Sequence, residues 1–475
     1  MLSQSSNLVR TINNQEKYLR SSVFICGSKK LVTNNQHFDY PSTTLRLRSG
    51  QALRASAQCK QQIKRLVLDN GITLMVTENP TADIVAGRLF FKNAGGRWET
   101  REQAGLSHLL AVTLTKGTEK LSSAEIAEQV ESIGASLGTD AAADYFALSL
   151  KTVAADFGGM LKLVGEILRT PTFPTAEVEL EKNLTVQNIR SQQESPFNVA
   201  YQGLRDAMYP QHPYGVSILG KETTVTQLNT SDLQQYHQTY FRPDNLVISL
   251  SGRLLVEDAV KIVEEVLGDW SAPPGGYPQL QLPRLEVKPC RRVEPQDTQQ
   301  SIVMLGYLGS SVKHEDYAAL KLLSTYLGNG LSSRLFVELR EKRGLAYEVS
   351  ALYPSRLEPS QFIAYMGTAP ENTAVALAGL RTEVERLCNV ELSEEELQGA
   401  KNKFLGQYAL GKQTNGEIAH IFGWYETLGL GIEFDDRFQE DIAAVTPEMA
   451  QTVAQGYLKE PYISLVGPEK SIICS

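Results

Sequence analysis

The chain has 475 residues, 42% of them hydrophobic and 21% charged, which suits two globular domains with real cores. Its net charge of −8 argues against nucleic acid as a partner, and no apolar run reaches the ~18 residues of a membrane-spanning helix. The five cysteines, Cys26, Cys59, Cys290, Cys388 and Cys474, include no Cys-x-x-Cys pair; they give neither a disulfide framework nor a zinc knuckle, and they fit the cytoplasm or another reducing compartment.

The charge is uneven. Residues 1–60 hold nine Lys/Arg against Glu16 and Asp39, which leaves −15 for the rest of the chain. Residues 1–61 are Ser/Asn/Thr-rich and basic and lack the apolar core of a secretory signal. They read as a disordered extension or a start-site artefact; an organellar leader stays open as the alternative.

Order is expected from Ile63. Arg65 to Val76 is a hairpin signal turning at Asn70-Gly71. Ile84 to Phe91 reads as a strand, and Asn93 to Arg97 as the loop into a helix over Gly105–Gly117. Ser122-Ser-Ala-Glu125 is a capping box opening a further helix. A strand at Tyr145–Leu150, helices at 155–169 and Glu177–Gln193, a strand at Leu246–Ser251 and a helix at Val256–Leu267 follow. Ser271 to Pro283, with four prolines and two glycines, reads as a linker.

After the linker the pattern returns. Ser122-Ser123 lies over Ser332-Ser333 at an offset of 210, and Phe146, Thr152 and Leu161 lie over Phe362, Thr368 and Leu377 at 216. Ile248-Ser-Leu250 lies over Ile463-Ser-Leu465 at 215. A near-constant offset along both halves marks a tandem duplication, with a period far above those of solenoids. Helices and strands do not alternate strictly, so each half is expected to be α+β with a largely antiparallel sheet.

These features, with Gly105-Leu-Ser-His108 before Lys116-Gly-Thr118, His212-Pro-Tyr-Gly215, Tyr240-Phe-Arg-Pro-Asp-Asn-Leu246 and above all Leu331 to Tyr347, resemble the pitrilysin-type (inverted zincin) metallopeptidases. That family includes insulysin, the mitochondrial processing peptidase and the core subunits of the cytochrome bc1 complex. The resemblance implies an α+β fold of two tandem homologous domains, of the processing-peptidase/LuxS-like metallohydrolase type, forming a clamshell chamber. It divides the chain into the extension (1–61), a first domain (62–270), a linker (271–284) and a second domain (285–475).

The family's metal helix carries His-x-x-Glu-His, two ligands flanking a general base, with a glutamate further on as third ligand. Here those places hold His108, Ala111, Val112 and, 76 residues after Val112, Asn188. One imidazole and one neutral amide do not hold Zn²⁺, and no group remains to take a proton from water. The resemblance therefore implies no metal bound by this chain. Glu181 matches a supporting glutamate of the family, or is a solvated charge beside Lys182. The other histidines have no partner at i+3 or i+4.

The metal positions of the first half are lost, but the family's substrate-contacting positions in the second half are kept. Arg340 and Tyr347 stand at the positions of the family's Arg/Tyr pair, which contacts substrate and stabilises the developing oxyanion. Gly328-Asn-Gly330 resembles a shortened glycine-rich substrate loop, or is a plain turn. The sheet edge that would take a peptide as an added strand is Gly138–Tyr145, which departs from the family's Asn-Ala-x-Thr. The expected role is a non-catalytic, substrate-handling subunit acting on peptides or leader sequences, beside a homologous partner that carries the Zn²⁺. The alternative is a structural, core-like subunit without peptidase function.

Overall fold

The computed structural model describes residues 62–473. Expectations about residues 1–61, and Cys26, Cys59 and Cys474, lie outside the described residues.

The first half runs β1 (Ile63–Val67), β2 (Thr73–Glu78), β3 (Ile84–Phe91), α1 (Leu106–Thr113), α2 (Ser123–Glu131), β4 (Ser136–Ala141) and β5 (Phe146–Val153). It continues through α3 (Phe157–Arg169), α4 (Thr175–Glu194), α5 (Pro196–Met208), α6 (Thr230–Tyr240), β6 (Leu246–Gly252) and α7 (Val256–Leu267). Its sheet has the order β1-β2-β6-β3-β5-β4, antiparallel except for the β2–β6 pair. The hairpin turns where expected, with Gly71 at φ 91° and the Asn70 amide donating to the Leu267 carbonyl at 2.7 Å. The Ser122–Glu125 capping box is formed on both sides.

The second half runs β7 (Arg291–Pro295), β8 (Ser301–Leu308), α8 (Tyr317–Gly328), β9 (Glu348–Leu352), β10 (Gln361–Thr368), α9 (Thr373–Asn389) and α10 (Glu394–Leu410). Then come α11 (Asn415–Thr427), α12 (Phe434–Ala444), α13 (Pro447–Tyr457), β11 (Tyr462–Gly467) and α14 (Glu469–Ile473). Its sheet order, β7-β11-β8-β10-β9 with a parallel β7–β11 pair, repeats the plan of the first. Residues 271–290, between α7 and β7, carry no helix or strand.

Every residue of β6 is buried. With side chains alternating between faces, this sheet must be covered on both sides. On one face Leu246, Ile248 and Leu250 pack with Phe157, Leu161 and Val164 of α3 and Ala259 and Val263 of α7. The other face, with Phe90, Ala147 and Val247, is covered from the second half by Ile418, Ile421 and Phe422 of α11. The exchange is reciprocal: Ala200, Leu204 and Met208 of α5 lie on Ile302, Met304, Ile363 and Tyr462 of the second sheet.

The crossing points use the repeat. A Cβ on Gly423 of α11 would sit 2.9 Å from Ser249 Cβ and 2.5 Å from Phe90 Cε2. A Cβ on Gly203 of α5 would sit 3.4 Å from Ser464 Oγ. Ser249 and Ser464 are the equivalent serines of the duplicated Ile-Ser-Leu segments, each facing a glycine of the exchanged helix; at Gly423 a side chain would clash, while at Gly203 a Cβ would make ordinary contact. Each half thus completes the other's core.

Two expectations need adjusting. The His108 helix stops at Thr113 rather than Gly117; the Thr113 hydroxyl bonds back to the Leu109 carbonyl at 2.6 Å, and Gly117 leaves the helix to bridge Ser122. The edge strand begins at Ser136 and ends at Ala141, and residues 142–145 form the turn into β5.

Candidate functional site

The α1 helix has Gly105 as its N-cap, at φ 98° in the left-handed region. A Cβ there would fall 2.7 Å from the Leu219 carbonyl oxygen, so glycine is required by both conformation and space. With no side chain at the cap, the first amides find another acceptor. Glu99 supplies it, accepting from Gly105 N–H at 2.9 Å, from Ser107 N–H at 2.6 Å and from the Ser107 hydroxyl. Burial pushes the Glu99 carboxyl up to about 7, against the pull of those three bonds. The sequence reading missed Glu99, since nothing in a lone Trp98-Glu99 announces a cap eight residues ahead.

His108 is 6% exposed and has no hydrogen-bond partner among the described residues. Burial pushes it down to about 4. Ala111, at the place of the general base, is buried, and its carbonyl accepts from Thr139 Oγ1 of β4 at 2.6 Å. Val112 is half-buried against the core of the first domain. Asn188 is exposed on α4, which packs beside α1. Glu181 is not a solvated charge beside Lys182: it pairs with Lys116 at 2.9 Å, while Lys182 pairs with Glu179. Among the described residues no cluster of three His, Cys, Asp or Glu could hold a metal ion. A methyl, an isopropyl and a neutral amide around one imidazole do not fit zinc.

His108, His237 and His420 are all pushed down to about 4 by burial, and His212 likewise with help from Arg97. A histidine whose folded value lies below its unfolded ~6.5 contributes stability above that pH and loses it as pH falls toward 4. The expected result is a fall in the urea midpoint on acidification from pH 7 to 4.5. His108→Leu should flatten it by up to one proton, about 1.4 kcal/mol per pH unit; an unchanged slope would mean that His108 is not held neutral.

Arg340 lies in a π-helical turn, Phe336–Glu341, that is closed by Gly344 at φ 60°. Its guanidinium stacks over Phe336 at 5.0 Å and is otherwise exposed. Nearby, Glu338 takes Arg334 and Lys342, and Arg334 also binds Glu383. Tyr347 precedes β9, with its N–H on the Gly367 carbonyl at 2.9 Å. Its side chain is 61% exposed and its hydroxyl has no partner among the described residues. Gly328 is tightly packed: a Cβ there would fall 1.8 Å from Ala351 N. The β4 strand is the outermost of its sheet.

One polar cluster was not foreseen. Asp144, 3% exposed, accepts from Arg97 at 3.2 Å and from the Tyr214 hydroxyl, with Arg356 at 4.0 Å. Arg97 also reaches Glu358 at 3.1 Å, and Arg356 lies over the Tyr214 ring. The His212-Pro-Tyr-Gly215 segment therefore serves a buried ionic joint between the two halves.

Residues 74–222 match the family described as insulinase (peptidase family M16), and residues 227–404 match the peptidase M16 inactive domain. An uncharacterized zinc protease of Bacillus subtilis is 28% identical over 414 residues, 86% of this chain and 98% of its own length. Another, of Streptomyces coelicolor, is 27% identical over 448 residues, 90% and 96% of the two chains. A solved peptidase M16 inactive domain from Pseudomonas fluorescens has a TM-score of 0.79 at 25% identity, covering 86% of this chain and 98% of its own. A protease from Helicobacter pylori has a TM-score of 0.80 at 21% identity, covering 86% and 99%, a likeness of fold.

Proposed function

Because the chain belongs to the pitrilysin-type M16 metallopeptidase family and carries a degenerate zinc motif, we propose that it is a non-catalytic, substrate-handling subunit of a heteromeric metallopeptidase. A homologous partner supplies the Zn²⁺ and the general base; this chain supplies Arg340 and Tyr347. The observation that carries the reading is an asymmetry. The metal positions hold Ala111, Val112 and Asn188, while Arg340 and Tyr347 stand exposed with no acid bound to either side chain among the described residues. A phenol and a guanidinium so placed can reach a peptide held by another subunit, the phenol donating to a developing oxyanion and the guanidinium clamping a carbonyl or carboxylate. The β4 edge offers backbone groups to an extended peptide.

Purified alone, the protein is expected to hold far less than one equivalent of zinc and to cleave no peptide. Co-expressed with homologues from its own source, it should co-purify with one carrying an intact His-x-x-Glu-His. Zinc near one equivalent in the isolated chain would sink this reading. A complex without peptidase activity would favour the structural, core-like role.

A further inference from the structure

The second half contains a cavity of about 220 Å³ between α8, β9, α10, α11 and α12. Its position follows from the duplication. Leu109, Leu110, Leu114 and Gly117 of the first half fall on Leu322, Leu323, Leu327 and Gly330 at a common offset of 213. The helix caps Pro174 and Ser195 fall on Ser393 and Thr414 at 219. At these offsets His108, Ala111, Val112 and Asn188 correspond to Lys321, Ser324, Thr325 and Gln407, and all four of the latter line the cavity. The hollow is thus the second half's counterpart of the degenerate metal positions, furnished with other chemistry.

Lys321 dominates it. The amine donates to the Tyr353 carbonyl at 2.7 Å, which leaves two further N–H groups, and lies 5.6 Å from the ring centres of Tyr317 and Tyr353. It is half-buried, and desolvation pushes it down to about 7. No carboxylate lines the cavity. Asp435, behind Tyr408 and Tyr425, is taken by both their hydroxyls and by Lys412. Gln407 is paired with Asn329 at 2.6 Å. A second amine, Lys403, stands beside Gly330, about 3.2 Å from where a Cβ there would be. The remaining wall is aromatic, including Phe404, Trp424 and Phe434. Two amines without a free acid repel cations and disfavour metals. The rings want a flat apolar body, and the half-buried Lys321 amine lacks a counter-charge.

We propose that this cavity binds a small aromatic carboxylate, with the acid on Lys321 and the ring among the aromatic side chains. The size is suitable: a cavity of ~150 Å³ takes benzene, and this one has room for a ring plus a short acid arm. The inference does not depend on any partner or on zinc.

The test is calorimetric titration of the full chain with 3-phenylpropionate at pH 6.5. Saturable binding is expected with a dissociation constant on the order of 0.1–1 mM. The neutral 3-phenylpropionamide should bind at least tenfold more weakly, as should the acid to Lys321→Met, a variant of similar volume. At pH 8.5 the acid should bind more weakly and take up a proton, read from the dependence of the heat on buffer. The titratable groups that line the cavity with Lys321 are Tyr317, Tyr353, Tyr408 and Tyr425, each pushed above the ordinary tyrosine value; Lys403 stands beside Gly330 and Lys412 is paired with Asp435. None of the tyrosines titrates in that range. Equal binding of acid and amide to the wild-type chain would overturn the proposal even if Lys321→Met fails to fold, and so would the absence of saturation by the acid up to about 10 mM. The tripeptide Ala-Ala-Phe separates the sources of this chemistry. Binding that depends on Lys321 would assign the group to a peptide C-terminus; binding of 3-phenylpropionate alone would assign it to a free acid.

Discussion

Tyr347→Phe, in a complex of this chain with a zinc-bearing homologue, should lower kcat for peptide cleavage by about 10²-fold, the usual effect of removing one oxyanion donor. The substitution deletes one hydroxyl from a side chain that is 61% exposed, so stability and assembly should not change. Arg340→Ala should act differently. A clamp on a ground-state carbonyl or carboxylate is lost mainly as a rise in KM, of about tenfold to a hundredfold. Its stacking on Phe336 is worth only about 0.5–1 kcal/mol at an exposed site. Steady-state kinetics of the complex separate the two effects. Unchanged kcat/KM in both variants would remove Arg340 and Tyr347 from the site and leave this chain a structural role.

What the sequence disclosed, and what it hid, follows from the range of the interactions. The β1–β2 hairpin, the Ser122 capping box and the Val256–Leu267 helix rest on contacts within a few residues and stand where their local signals put them. The duplication was visible because the offset stays nearly constant, and the two sheets repeat one plan. The exchange of α5 and α11 was not visible. Their glycines, Gly203 and Gly423, weaken a helical reading unless the opposing Ser464 and Ser249 are known. Glu99 was missed because its partner is a helix end, not a residue type. Asp144 was read as part of the Gly138–Tyr145 sheet edge; only the fold brings Arg97, Tyr214 and Arg356 onto it. At the degenerate metal positions the substituted residue types were readable once the family resemblance placed its motif on the chain. The enclosure of His108 and the Lys116–Glu181 pair needed coordinates.

Asp144→Ala should be the most destabilising exchange of a single charged side chain at the joint between the halves, costing about 3–5 kcal/mol because it leaves buried guanidinium groups uncompensated. Arg97 would keep only Glu358, whose side chain is 36% exposed, and Arg356 would lose its nearby carboxylate. The Tyr214 hydroxyl would lose its acceptor as well. Asp144→Asn keeps that acceptor without the charge and should fall between wild type and alanine. The contrasting ion pair across the halves is Arg65–Glu426, bidentate at 2.8 and 3.0 Å but with Arg65 42% exposed. Arg65→Ala should cost less than about 1 kcal/mol, since water screens the pair. Urea denaturation checks both, and the form of the transition is part of the test. Because α5 and α11 place each half's core partly in the other half, losing the ionic joint should shift the midpoint while leaving one transition and an unchanged slope. Two resolved transitions for Asp144→Ala would mean that the halves are coupled by the charge cluster rather than by the exchanged helices.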